Sequence, residues 1–131
     1  MSARVRLRRR IGLWYLALTE AVVGLWQLLA PRSFYDDFPL PGHPWVSMLP
    51  EYNEHLLRDL GGLNLGMGVM LAVAAVRLEP VLRRTVVIGY LLYALPHLVF
   101  HLGHLHGFTA LDAAGQAVTL ALGVVVGLAV L

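Results

Sequence analysis

Four long apolar stretches, at about 11–30, 60–77, 85–105 and 110–131, are separated by polar or proline-rich segments. Each is close to the roughly 20 mostly apolar residues that a helix needs to cross a hydrocarbon core. No stretch alternates with the period of a barrel strand, so the pattern predicts an all-α membrane protein: one four-transmembrane-helix bundle over residues 1–131. Pro31 stops the first span, and the run from Arg77 to Pro80 stops the second. Thr109, with Asp112 three residues on, predicts the N-cap of the fourth span. The second span has an amphipathic helical lead-in, where Glu51, His55 and Asp59 lie at i, i+4, i+8 beside the Glu54–Arg58 pair.

Residues 31–50 break this pattern, with Pro31, Pro39, Pro41, Pro44 and Pro50 set among Phe34, Tyr35, Phe38 and Trp45. Proline opposes regular helix and aromatics partition to the membrane interface, which predicts a segment lying across the bundle mouth. It reads either as a stiff interfacial connector or as a lid over a site.

Composition agrees with a membrane protein. Of 131 residues, 58% are hydrophobic and only 14% charged, against about 25% charged in soluble domains. Cysteine is absent, which excludes disulfides, thiolate metal sites and CxxC redox chemistry. All ten cations are arginine, and they flank apolar spans without interleaving with aromatics, so the net charge of +2 does not indicate a nucleic-acid partner. Arg4, Arg6, Arg8, Arg9 and Arg10 precede the first span, and Arg77, Arg83 and Arg84 lie between the second and third. An even number of crossings separates these groups, so the positive-inside rule predicts both termini in the cytoplasm of a multi-pass membrane protein. A signal peptide would have an apolar region of about 7–15 residues and a small-x-small cleavage site, so the first span reads as a retained helix.

The polar residues inside the spans fall on particular faces. Tyr90, Tyr93, His97, His101 and His104 share one stripe of the third span. Glu20 lies with Gly24 and Gln27 on the first, and Asp112, Gln116, Thr119, Gly123 and Gly127 line one side of the fourth. On the second, Gly62 and Gly66 continue the Asp59 face as a small-xxx-small surface for another helix. A bundle with polar interior and lipid-facing apolar exterior satisfies all four faces together.

Ionisable groups at membrane depth usually face the interior and carry function. The bland reading is that they only tie helices together, at about 0.6 kcal/mol per hydrogen bond. The leading functional expectation is a transition-metal site open to the extracytoplasmic side, with His97 and His101 at i, i+4 as core ligands and His104, Asp59, Glu20 or His55 completing the set. Such N/O donors suit Zn, Fe, Mn or Cu(II), and the site could have a redox role. Haem is less favoured, because His97 and His101 project from one helix and a bis-His haem would need His55 opposite them. The alternative is a non-enzymatic accessory subunit that binds a quinone or lipid, with Tyr93, His55 and Arg58 in contact with the ligand and the acids and histidines forming a proton relay. Nucleophilic catalysis has no support: Ser2, Ser33 and Ser47 lie outside the spans. The glycine faces also allow a purely structural bundle that assembles as a homo-oligomer or within a larger membrane complex.

The runs Glu54-His55-Leu56-Leu57-Arg58-Asp59-Leu60-Gly61-Gly62-Leu63-Asn64-Leu65-Gly66 and Gly24-Leu25-Trp26-Gln27-Leu28-Leu29-Ala30-Pro31, the latter followed by an aromatic outer loop, resemble small four-span bacterial membrane proteins of the DoxX-like kind. The resemblance implies the four-helix layout, a place in the bacterial inner (plasma) membrane, and an accessory role beside quinone-linked oxidoreductases. The histidine stripe of the third span departs from that family's pattern.

Overall fold

The computed structural model describes residues 2–131 and contains five helices and one small hairpin. Helices α1 (Ala3–Leu29), α3 (Glu54–Arg77), α4 (Pro80–Leu102) and α5 (Ala110–Val130) are each long and apolar enough to cross a membrane. The molecule is therefore an all-helical, multi-pass membrane protein. All four start at a side-chain cap or a proline, and at α1 the Ser2 hydroxyl accepts from the Val5 amide. Asn53 accepts from the Leu56 amide, and Thr109 accepts from the Asp112 amide as its sequence position predicts. Pro80 occupies the first turn of α4, where a missing N–H costs nothing. Leu78, left-handed at φ 51°, makes the tight turn before it.

Several element boundaries differ from the hydropathy pattern. α1 begins at Ala3 because arginine is a good helix former and its long stem tolerates an interfacial turn, so the basic segment extends the helix. α3 absorbs the amphipathic lead-in from Glu54, and α4 runs Pro80–Leu102, continuous through Pro96. The expectation that proline excludes helix from 31–50 is corrected. Pro31 starts a two-turn helix α2 (Pro31–Asp37), and Pro39–Leu40 pairs antiparallel with His43–Pro44 as strands β1 and β2. Proline is compatible with a first helical turn, and Gly42 at φ 84° closes the hairpin.

The helices pack as a ring in which α1 neighbours α3 and α5, and α4 neighbours α5 and α3. The α1–α3 pair is the closest. Cβ atoms placed on Gly24 and Gly61 would lie 2.6–2.8 Å from the partner helix backbone, and one on Gly68 would lie 3.1 Å from Ala17 and Ala21. Gly62 and Gly66, which the sequence places at a helix contact, have open space around them. The contact is made one residue round the helix, by Gly61, Asn64 and Gly68. There Asn64 donates to buried Gln27 across the interface at 2.9 Å. α4 and α5 form the second pair, with Tyr90 over Gly123 and Leu91 against Gly127.

The two pairs meet at the end of the bundle that carries the arginines. There Gly12 of α1 packs on Val126 and Val130 of α5, Arg10 reaches the Ala75 carbonyl, and buried Arg83 donates to the carbonyls of Val130 and Leu131. A guanidinium at that position satisfies the carbonyls a helix C-terminus leaves unpaired. Toward the opposite end, which carries α2 and the hairpin, the four helices enclose a cavity.

Candidate functional site

The cavity has a volume of about 740 Å³ and is lined by the hairpin-end halves of all four long helices. Phe34 and Phe38 from α2 and its C-cap, with Trp45, Val46, Leu49 and Pro50 from the hairpin and the strap after it, form its roof. Residues 31–50 thus occupy the place of a lid. An edge-to-face cluster of Trp26, Phe34, Phe38 and Trp45 holds the lid on the end of α1. The rest of the attachment is polar. One carboxylate oxygen of Asp112 accepts from Trp45 Nε1 at 3.0 Å and meets His43 Nδ1 at 2.9 Å, while the other accepts from Thr109 Oγ1 at 2.7 Å. Trp45 also lies flush on Gly115, where an added Cβ would be 2.8 Å from its ring. The first turn of α5 is therefore a latch for the lid, built around one buried acid.

Below the roof, apolar walls give way to polar groups. Glu20, Tyr93 and Thr119 each sit nine residues from the hairpin end of their helices, about 14 Å deep at 1.5 Å per residue. All three line the cavity, near the middle of a hydrocarbon core about 30 Å thick. Tyr15, Tyr90 and Gly123 line it further toward the arginine end. Glu20 is 9% exposed and, among the described residues, makes no hydrogen bond or ion pair. One level up, Tyr93 stacks on His97, and His97 meets His101 edge to face at 4.6 Å. His101 Nδ1 contacts Gln116 Oε1 at 2.8 Å, and the amide nitrogen of Gln116, fully buried, has no partner among the described residues.

The sequence-predicted site residues separate into two groups. Glu20, Tyr93, His97, His101 and His104 all line the cavity. His104 lies at its mouth beyond the end of α4, stacked on Phe100 at 4.1 Å with Nδ1 against the Phe100 carbonyl. His55 and Asp59 do not join them. They pair with each other at 3.2 Å on the outer surface of α3, with side chains 86% and 60% exposed. Arg58 pairs with Glu54 at 2.9 Å and donates to the Leu28 carbonyl, capping the end of α1. The reason is the register of α3: the Gly24–Gly61 and Ala17–Gly68 contacts turn Gly61, Asn64 and Gly68 inward and leave His55, Asp59, Gly62 and Gly66 outside.

The placement divides the expected donor set between the cavity and the outer face of α3. No group of three or more His, Asp or Glu side chains among the described residues is arranged to hold a metal ion. Haem held between His55 and the α4 stripe does not fit either, since His55 faces away from the bundle. Sequence reasoning placed Tyr90 on the polar stripe and the aromatics of residues 31–50 over the bundle mouth, but did not single out Tyr15 or Asn64 as residues of the same cavity. Their helical spacing was legible, but the shared space depends on how far the two helix pairs part.

Comparison with known proteins finds no matching family model, no similar curated protein and no similar solved structure.

Proposed function

We propose that this chain is a ligand-binding protein of the bacterial inner membrane. It holds one lipid-soluble molecule, of the size of a quinone ring or a lipid segment, in the cavity under the lid. The observation that carries the reading is the cavity itself: about 740 Å³ with apolar walls, ending in the carboxyl of Glu20 and the amide of Gln116, neither group fully partnered by the chain. Ligand cavities typically run to about 300–1,000 Å³ with a few convergent polar groups. The mostly apolar walls of this cavity favour an amphiphile over water as the occupant. The arginine end lies in the cytoplasm and the lid on the opposite side, as the positive-inside rule directs. The DoxX-like resemblance belongs to the same proposal: an accessory bundle beside a quinone-linked complex would use such a pocket.

Trp45 in the roof reports occupancy. In nanodiscs, a quinone with a brominated decyl tail should quench Trp45 saturably at one molecule per chain, in a variant with Trp14 and Trp26 changed to Phe. Filling the cavity with Ala94→Phe should abolish that saturable component. Quenching that rises linearly with probe and ignores Ala94→Phe would reject the reading.

A transition metal is the second reading, favoured by His97 and His101 on one cavity wall at ligand spacing. It needs donors beyond those the chain gathers. Elemental analysis of purified protein and of the His97→Ala/His101→Ala variant decides it: a metal content near one per chain, lost in the variant, supports it, and equal content in both refutes it.

A further inference from the structure

Resting on the ligand-binding reading, we propose that the inner end of the cavity is a subsite for an organic cation, an amine or quaternary ammonium on an apolar body, with its charge held by Glu20 and its carbons against tyrosine rings. Glu20 is the only acid lining the cavity, and among the described residues it has neither a hydrogen bond nor an ion pair, although it is more than nine-tenths buried. Carboxyl groups at membrane depth ordinarily pair with a cation or mark the path of one. The described residues supply no such partner. Arg32 is committed to Asp36 at 2.7 Å on the lid and Arg58 to Glu54, while the other arginines stand at the opposite end of the bundle, and lysine is absent.

The surroundings of Glu20 suit a cation in a second way. Tyr15, Tyr90 and Tyr93 line the same part of the cavity, and the Tyr90 hydroxyl is seated over Gly123, which has no side chain to displace it. Tyrosine faces attract ammonium groups within about 6 Å of the ring centre, most strongly where water is excluded. An acid and three phenol rings in an apolar chamber are the chemistry that recognises an alkylated ammonium. The internal competitor for Glu20 is His97, one turn nearer the lid and stacked on Tyr93 at 5.2 Å.

The test uses two probes of the same shape, benzyltrimethylammonium and its uncharged carbon isostere neopentylbenzene, titrated calorimetrically into the chain in lipid nanodiscs with protein-free nanodiscs as the blank. The expected result is at least about tenfold tighter binding of the cation. That ratio should fall to about one in Glu20→Gln, survive in part in Glu20→Asp, and drop about fivefold in Tyr93→Leu. Circular dichroism of each variant checks that the helices are intact. Equal affinity for the two probes, or a cation preference that persists in Glu20→Gln, overturns the cation subsite and leaves the cavity reading standing. Saturable binding of a quinone with none of the cation does the same. Failure of both probes and of the quinone rejects the cavity reading as well.

Discussion

Glu20 and the glycines facing it show how single residues set this site. At 9% exposed, Glu20 is a polar group that the bundle encloses without partnering, and Gly24 one turn away lets α3 approach close enough to enclose it. A Cβ at Gly61 would sit 2.7 Å from the Leu28 amide nitrogen and 2.8 Å from the Gly24 carbonyl, so the helices must part. Overpacking of that kind costs about 1–3 kcal/mol. Gly61→Ala is therefore expected to lower stability by that amount in detergent, measured by thermal unfolding. Gly62→Ala, with open space around it, should be neutral or stabilising by up to about 1 kcal/mol through helix propensity. The reverse ranking would show that α3 packs on its other face. Helical period puts Gly62, at i+3, on the Asp59 face and Gly61, at i+2, off it, but which of these faces meets α1 is settled only by backbone contact.

Among elements, the lid is the one whose position depends on few bonds. Its first half is held by the aromatic cluster on Trp26, and its hairpin by Asp112. Asp112→Ala removes the acceptor for Trp45, His43 and Thr109 together, and hydrogen bonds to a charged group contribute about 1.5–3 kcal/mol each. We expect the hairpin to lift while α5 remains helical. Because the chain has no cysteine, Val46→Cys on the roof can be labelled without background. Its reaction with a bulky maleimide should accelerate about tenfold or more when Asp112→Ala is added. An unchanged rate would mean that the aromatic cluster alone holds the lid. The lid's proline content was legible from sequence as a segment across the bundle mouth. Its helical first half was not, since Pro31 reads as a stop for α1 and also serves as the first residue of α2. The latch was half visible. Thr109 and Asp112 announce an N-cap, but the reach of His43 and Trp45 to Asp112 spans more than 65 residues of chain.

For the whole molecule, the four spans and the interior position of the α4 and α5 stripes followed from apolar length and helical period, the signals that bilayer thickness imposes most strictly. The convergence of all four polar faces did not follow, because α3 presents only part of its polar surface inward: Asn64 is buried while His55 and Asp59 remain outside. Of the expected metal donors, Glu20, His97, His101 and His104 reach the cavity without His55 and Asp59. The bundle also gathers eight of its ten arginines at the end opposite the lid, from which the positive-inside rule predicts that this end is cytoplasmic. Ser2→Cys should be shielded from a membrane-impermeant maleimide applied outside intact cells, and Ser47→Cys should react.

The central claim is that the cavity holds a molecule, and native mass spectrometry of the chain released from mild detergent tests it most directly. The account expects one small molecule per chain surviving release from the native membrane, with the adduct lost in Ala94→Phe. A bare chain mass for the unmodified protein, or an adduct that Ala94→Phe retains unchanged, would contradict it.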